Sequence, residues 1–375
     1  MPTPRSATQK AVTSSSSSLP TLAEPAGPTL AEPKSATTSP AMIEAKLPGD
    51  RLIVQAHEFS ARAETEDDFS QIIETCRRAR ASQLSPSLNG YANQLAGWSL
   101  NRRGQIKAEA GRLKEAMFDF DDAIRSNPKL WRALHNRGVL RAQTGQFEPA
   151  FDDFNLTIQY NPKFAKAYSN RAALFVVAGN LPAALDDFAH AIELDPNLAV
   201  AHRGRARACH QLSRLEEALD HYGAAVQLTP NDAYAIAGKA DLLTDLGRYV
   251  DAAKGYDRAI KLDPQSVNAV RGSAWLLATC PDSSVRNAKL ATERAKLAIQ
   301  LDGTEEAVSL DTLAAALASA GDYSAAMQTM RQAIQIAPSD ERDVYQDRLK
   351  LYQKAKPYRI APVPGVAQVS YQNSY

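Results

Sequence analysis

Four residues able to bind a metal or exchange a proton lie close together in the chain: His202, Cys209, His210 and His221. Imidazole and thiolate are the usual zinc ligands, but a zinc site also needs a spacing that turns them toward one point. Neither Cys-x-x-Cys nor His-Glu-x-x-His occurs in the 375 residues, and no Gly-rich phosphate loop does. Acidic pairs recur at Asp121–Asp122, Asp152–Asp153 and Asp186–Asp187. Two carboxylates can divide the roles of general acid and base. Their recurrence along the chain instead favours a solvated face, which is the expectation here. Asn155-Leu156-Thr157 has the form of a glycosylation acceptor, but falls inside a helical pattern where the modifying enzyme has no access. No reaction, metal or cofactor is therefore expected, and the chain reads as non-catalytic.

The elements that hold these residues follow from a periodicity. Pro128, Pro162, Pro196, Pro230 and Pro264 are each 34 residues apart. Within each period, two apolar runs at helical spacing flank a break, marked by Gly111, Gly145, Gly179, Gly247 and Gly321. Small residues recur in the first run (Gly104, Gly138, Ala172, Ala206, Ala240) and in the second (Ala116, Ala150, Ala184, Ala218, Ala252). Aromatic residues fill the space between: Phe120, Phe154, Phe188, Tyr222 and Tyr256. A fixed period of this length predicts a solenoid in which each helix–turn–helix unit buries its apolar face against its neighbours.

This pattern of small, small, Gly, Ala, aromatic, Ala and Pro resembles the tetratricopeptide repeat (TPR) family over about residues 97–266. It extends with one irregularity to about residue 338. The resemblance implies an all-α, right-handed α-solenoid of stacked helix–turn–helix repeats with a C-terminal capping helix. Five regions are expected. Residues 1–48 form a Ser/Thr/Pro/Ala-rich tail too poor in large apolar residues to fold. Residues 49–94 form a degenerate N-terminal helical hairpin, and residues 95–338 an array of about seven repeats. Residues 339–358 form the capping helix, with Tyr345, Leu349 and Tyr352 as its apolar stripe and Asp and Arg on its other face. Residues 359–375 form a flexible tail.

In this family the first helix of each unit lines an inner groove. The corresponding inward positions here are Arg102, Arg132, His135, Asn136, Lys166, Asn170, Arg203, Arg207, His210 and Arg271. Fewer acidic residues share them: Glu109, Asp241, Asp245 and Asp311. A partly basic groove suits a protein or peptide ligand that is acidic or carries a free C-terminal carboxylate, through charge-assisted hydrogen bonds. The five-residue carboxylate clamp of chaperone-tail-binding TPR proteins is incomplete. Only Asn136 and Lys166 match it, with Asn101, Gln105 and Asn170 standing at the other positions. The reading is a scaffold or adaptor. Its alternatives are an accessory subunit of an enzyme complex and a helical-repeat RNA binder. The second of these would need a recurring basic position, and only Arg103, Arg137, Arg171 and Arg205 approach it. A net charge of +1 disfavours nucleic acid as a partner. No apolar run is long enough for a membrane span. Three dispersed cysteines, Cys76, Cys209 and Cys280, fit a reduced, cytoplasmic interior.

Overall fold

In the computed structural model, residues 47–303 and 306–362 are described. The tail read as residues 1–48 and the end of the chain beyond residue 362 lie almost wholly outside them. The described residues hold seventeen helices and no strand. No helix among them is long and apolar enough to cross a membrane. They divide into two compact all-α units, one ending at Ala201 and the other beginning at His202. Each is a helical-repeat solenoid.

The N-terminal unit opens with α1 (Pro48–Ser60), α2 (Glu66–Ala81) and the long α3 (Pro86–Glu109). The entry is locked by a buried carboxylate. Asp50 accepts from the backbone and hydroxyl of Ser85 at 2.8 and 2.7 Å and from the Leu47 amide at 3.2 Å. Hairpins follow as α4 (Leu113–Ser126), α5 (Trp131–Gln143), α6 (Phe147–Tyr160), α7 (Ala165–Val177) and α8 (Leu181–Leu194). The boundary falls within α9 (Ala199–Gln211). The C-terminal unit continues with α10 (Leu215–Leu228), α11 (Ala233–Asp245), α12 (Tyr249–Leu262), α13 (Val267–Thr279), α14 (Ala288–Asp302), α15 (Ala307–Ser319), α16 (Tyr323–Ile336) and α17 (Arg342–Gln353).

The repeated small residues are where the two helices of a hairpin touch. A Cβ on Gly104 would lie 2.7 Å from Phe120 Cε1, and one on Gly138 would lie 2.8 Å from Phe154 Cε1. In the C-terminal unit the aromatic becomes tyrosine, whose hydroxyl reaches further. It reaches the first helix of the next hairpin: a Cβ on Gly238 of α11 would meet the Tyr222 hydroxyl of α10 at 2.6 Å, and one on Gly272 of α13 would meet Tyr256 Cε1 of α12 at 2.7 Å. The second helix ends one residue before an Asn, Asp or Thr that precedes the proline. Where that residue is Asn or Asp, its side chain accepts from the backbone two residues on, as Asn127 does from Lys129 and Asp195 from Asn197. This turn is closed before the proline forbids further helix.

The acidic residues correct the expectation of a wholly solvated face. Asp119, Asp153 and Asp187 are buried, while Asp152 and Asp186 are exposed. Each buried carboxylate takes the guanidinium sixteen residues earlier. Arg103 reaches Asp119 at 2.6 Å, Arg137 reaches Asp153 at 2.6 Å and Arg171 reaches Asp187 at 2.7 Å. Arg137 also spans back to Asp121 at 2.8 Å, and Arg171 to Asn155 at 2.8 Å. The recurring arginines thus staple first helix to second helix, and neighbour to neighbour.

At the hairpin break, the amide three residues past the helix end bonds back to the fifth residue before it. Gln146 N to Arg141 O (2.8 Å) and Arg214 N to Cys209 O (2.9 Å) are examples. This closure needs a left-handed residue. Gly145 supplies it at φ 78°, but the equivalent in the α9–α10 turn is Ser213, at φ 59°. A side chain in that region costs energy that glycine avoids. Ser213→Gly should therefore raise stability by about 0.5–1 kcal/mol, net of the entropy glycine adds to the unfolded chain. Denaturant unfolding of the two proteins side by side checks this, and an unchanged or lower midpoint would contradict it.

Candidate functional site

The first-helix face of the N-terminal unit is built as polar rungs between successive first helices. Asn136 on α5 donates to Asn101 on α3 at 2.9 Å, and Asn170 on α7 donates to His135 on α5 at 3.1 Å. Both rungs join residues 35 apart in the chain. Asn101, His135, Asn136 and Asn170 are all but fully buried. They form the floor of the face, and a ligand could use their side chains only by breaking a rung. His135 also stands edge-on to Phe164, with centroids 4.9 Å apart. Burial, with the Lys166 charge nearby, pushes its pKa down to about 3, so the imidazole is neutral at physiological pH.

Above this floor stand the half-buried Arg102, Arg132 and Lys166. Arg102 donates to Gln105 at 3.0 Å and lies over the Phe69 ring. Arg132 lies over Trp131, 4.2 Å from its centroid, and desolvation lowers its basicity. Arg103, Arg137 and Arg171 on these same helices are neutralised by carboxylates. Among the described residues, Arg102 and Arg132 make no ion pair.

In the C-terminal unit the remaining expected residues behave differently from one another. Arg203 pairs with Asp232, the carboxylate that also caps α11 through the Ala235 amide at 3.1 Å. It braces a helix start. Arg207 is exposed and makes no ion pair among the described residues. His210 reaches Asp245 at 2.8 Å, again across 35 residues. Arg271 is buried and lies 3.8 Å from Glu306. Asp241, pushed up to about 6 by burial, accepts a hydrogen bond from the Tyr256 hydroxyl. Nothing in the sequence signals the Tyr256 contact except that tyrosine replaces phenylalanine at the repeated aromatic position.

The metal reading finds no support. His202 and His221 approach to 3.1 Å, but no group of three metal-binding side chains occurs among the described residues. Cys76, Cys209 and Cys280 are free and buried. Burial lifts their thiols to about 12, 11 and 11 respectively, which keeps them protonated and unreactive.

Two family models, each described as tetratricopeptide repeat, match the chain, one over residues 170–233 and the other over 99–130 and 307–340. The matched segments are tetratricopeptide repeats. Among solved structures, it is similar to the APC/C hetero-tetramer Cut9–Hcn1 at 14% identity and a TM-score of 0.57, over 81% of this chain and 55% of that one. It is also similar to a tetratricopeptide repeat protein from Parabacteroides merdae, at 18% identity and a TM-score of 0.42, over 81% and 98% of the two chains. YrrB, described as a TPR protein with an unusual peptide-binding site, shows 17% identity and a TM-score of 0.39 over 49% and 94%. At these identities the likeness concerns the fold alone. No curated protein matches the chain. TPR arrays are protein-interaction scaffolds, and that general role extends to this chain.

Two outcomes test the wiring of the face. Arg171→Met leaves Asp187 buried beside a neutral group. The loss should be ~2–3 kcal/mol, below the ~3–5 of a fully buried pair because Arg171 is partly solvated. Arg171→Met with Asp187→Leu should recover most of it, and unfolding midpoints of the three proteins decide. His135 supplies a pH dependence. Its folded pKa lies below the ordinary 6.5, so the unfolded chain takes up the proton first as pH falls. The His135 contribution is complete above pH ~6.5 and declines by about 1.4 kcal/mol per unit below it. Amide protection factors in α5 and α7, taken relative to the intrinsic exchange rate at each pH, should fall between pH 6.5 and 5, and less so in His135→Gln. Equal slopes in the two proteins would contradict the assignment.

Proposed function

We propose that the protein is a non-catalytic adaptor whose N-terminal unit binds an acidic segment of a partner protein, or its free C-terminal carboxylate, on the first-helix face. One observation supports this above the others. Every arginine of α3, α5 and α7 that contacts the second-helix row is paired with a carboxylate or amide, whereas Arg102 and Arg132 are not neutralised. A half-buried guanidinium held by ring stacking is preorganised and partly desolvated, so a carboxylate arriving there meets a strong donor at little entropic cost. Lys166 adds positive potential to the same face, as its effect on His135 indicates. The buried amide floor holds these cations at fixed spacing.

The recurring arginines at 103, 137, 171 and 205 are occupied by Asp119, Asp153, Asp187 and Glu217. They offer no free basic ladder to RNA. Arg203 is likewise committed to Asp232, so the basic contacts of the reading rest on Arg102, Arg132 and Lys166, with Arg207 separately placed in the other unit.

The test uses the full chain and a fluorescein-labelled ten-residue glutamate peptide with a free C-terminus. Arg102→Glu with Arg132→Glu should weaken binding tenfold or more, since each charge-assisted bond contributes about 1.5–3 kcal/mol. Binding to the parent should also fall as salt shortens the Debye length from ~10 Å at 0.1 M to ~3 Å at 1 M. Lys163→Glu, at an exposed position outside the face, should change little. Equal affinity of the double variant and the parent, with unchanged circular dichroism, would sink the proposal.

A further inference from the structure

The end of the C-terminal unit contains a surface that the chain itself covers. Helix α13 finishes at Thr279, and a helix end leaves its last four carbonyls without intrahelical partners. Here all four are satisfied, from three different places. Leu276 O accepts from the Cys280 amide at 2.9 Å, and Leu277 O from the Asn287 amide at 3.1 Å. The other two depend on a segment some eighty residues away. Ala278 O accepts from Arg359 Nη1 at 2.9 Å, and Thr279 O from the Ile360 amide at 2.9 Å. Just before them, the Tyr358 ring lies against Trp275, centroids 5.6 Å apart. Arg348 on α17 sits 4.8 Å from both rings and pairs with Asp311 on α15. Trp275 occupies the same repeat register as Arg207 and Asp241, two of the inward positions read from the sequence. The stretch 357–360 is non-helical and only half-buried, and residues 361 and 362 are exposed. The tail expected to begin at residue 359 is therefore tied down through Ile360.

We propose that Trp275 and the carbonyls of Ala278 and Thr279 form a second peptide-binding site, for an extended segment of a partner with the order aromatic, arginine, aliphatic, and that Tyr358-Arg359-Ile360 fills it in cis. The chemistry of the surface specifies the ligand. The ring face of Trp275 selects a second ring. A carbonyl at a helix C-terminus, where the macrodipole is negative, selects a cation. The next carbonyl selects a main-chain N–H, which requires an extended backbone. Two features make the strap displaceable. It packs on the surface and buries no residue of its own. Its cation also lies beside Arg286, which already bonds Cys280 O at 2.9 Å and Pro281 O at 2.8 Å. Burial and that like charge both lower the basicity of Arg359. This site recognises a cation, whereas the N-terminal face is proposed to recognise an anion, so either can fail without the other.

The experiment uses the full chain, the variant Tyr358→Ala with Arg359→Ala, and a labelled synthetic peptide with the sequence of residues 356–362, KPYRIAP. Binding is followed by fluorescence anisotropy and by the emission of Trp275 in a background where Trp98 and Trp131 are phenylalanine. The variant should bind the peptide at least tenfold more tightly than the parent and shift Trp275 emission. A peptide with alanine in place of its tyrosine and arginine should not bind. Three results would overturn the proposal: no binding by the variant, equal binding by parent and variant, or equal binding of the alanine peptide. If the variant instead loses helicity or melts more than 10 °C below the parent, the strap is an integral part of the fold, which also overturns it.

Discussion

The architecture depends on a close approach of two helices that only the smallest residues permit. Where the two helices of a hairpin cross, the first presents glycine or alanine and the second lays an aromatic ring across it. At Gly104 and Gly138 a Cβ would lie within 3 Å of ring carbons. That approach sets how close the helices come, and so where every other inter-helix contact falls. The Arg–Asp staple sixteen residues apart forms because this crossing brings Arg137 of α5 over Asp153 of α6. The polar rungs at 35 residues form because one crossing is followed by another one repeat later. Each unit is therefore wired by local chemistry repeated, as expected where a chain can bury its apolar face only against its neighbours.

Repetition is also what made the fold legible. The proline interval, the break glycines and the aromatic positions place the helices, because each reports a steric or hydrogen-bonding requirement that recurs unchanged. Contacts that occur once have no such signal. Ser213 shows that the break position is defined by its backbone and not by glycine itself. Its φ of 59° follows from the same closing hydrogen bond as Gly145 makes. Arg348 was read as belonging to the solvated side of the last helix, yet it is buried against Asp311, Trp275 and Tyr358. Helical spacing put it beside the stripe of Tyr345, Leu349 and Tyr352. Only the three-dimensional partners explain why a cation is tolerated there. The burial of one aspartate in each pair is invisible in the sequence for a related reason. Asp152–Asp153 is a pair in the chain, but one member faces water and the other a guanidinium, a distinction that composition does not carry.

The inward residues illustrate how a register can be right about position and silent about state. His135, Asn136 and Asn170 satisfy one another or Asn101 and serve as structure. Arg203 and Arg271 have carboxylates within reach from neighbouring elements. Arg102, Arg132 and Arg207 have none among the described residues. Charge that is neutralised inside the fold contributes little to recognition, because a ligand must first compete with the resident partner. The basic character inferred by counting residues thus resolves into a few cations, and the amide floor beneath two of them acts to fix geometry.

The irregular sixth repeat shows what happens where the period breaks. The longer connection from Cys280 to Asn287 cannot repeat the usual turn, so it is held by its own bonds: Asp282 to the amide and hydroxyl of Ser284, and Arg286 to two carbonyls. The residues of this connection leave the carbonyls of Ala278 and Thr279 without a donor from the backbone that immediately follows α13. The chain returns from α17 to supply the missing donors. A departure from the period therefore does two things at once. It creates a polar surface next to a register position held by Trp275, and it lets a segment outside the repeats supply donors there. At a regular break the residues that immediately follow close three of the last four carbonyls, as Thr144, Gln146 and Gly145 do for Leu140, Arg141 and Ala142, so no distant segment is needed to supply those donors.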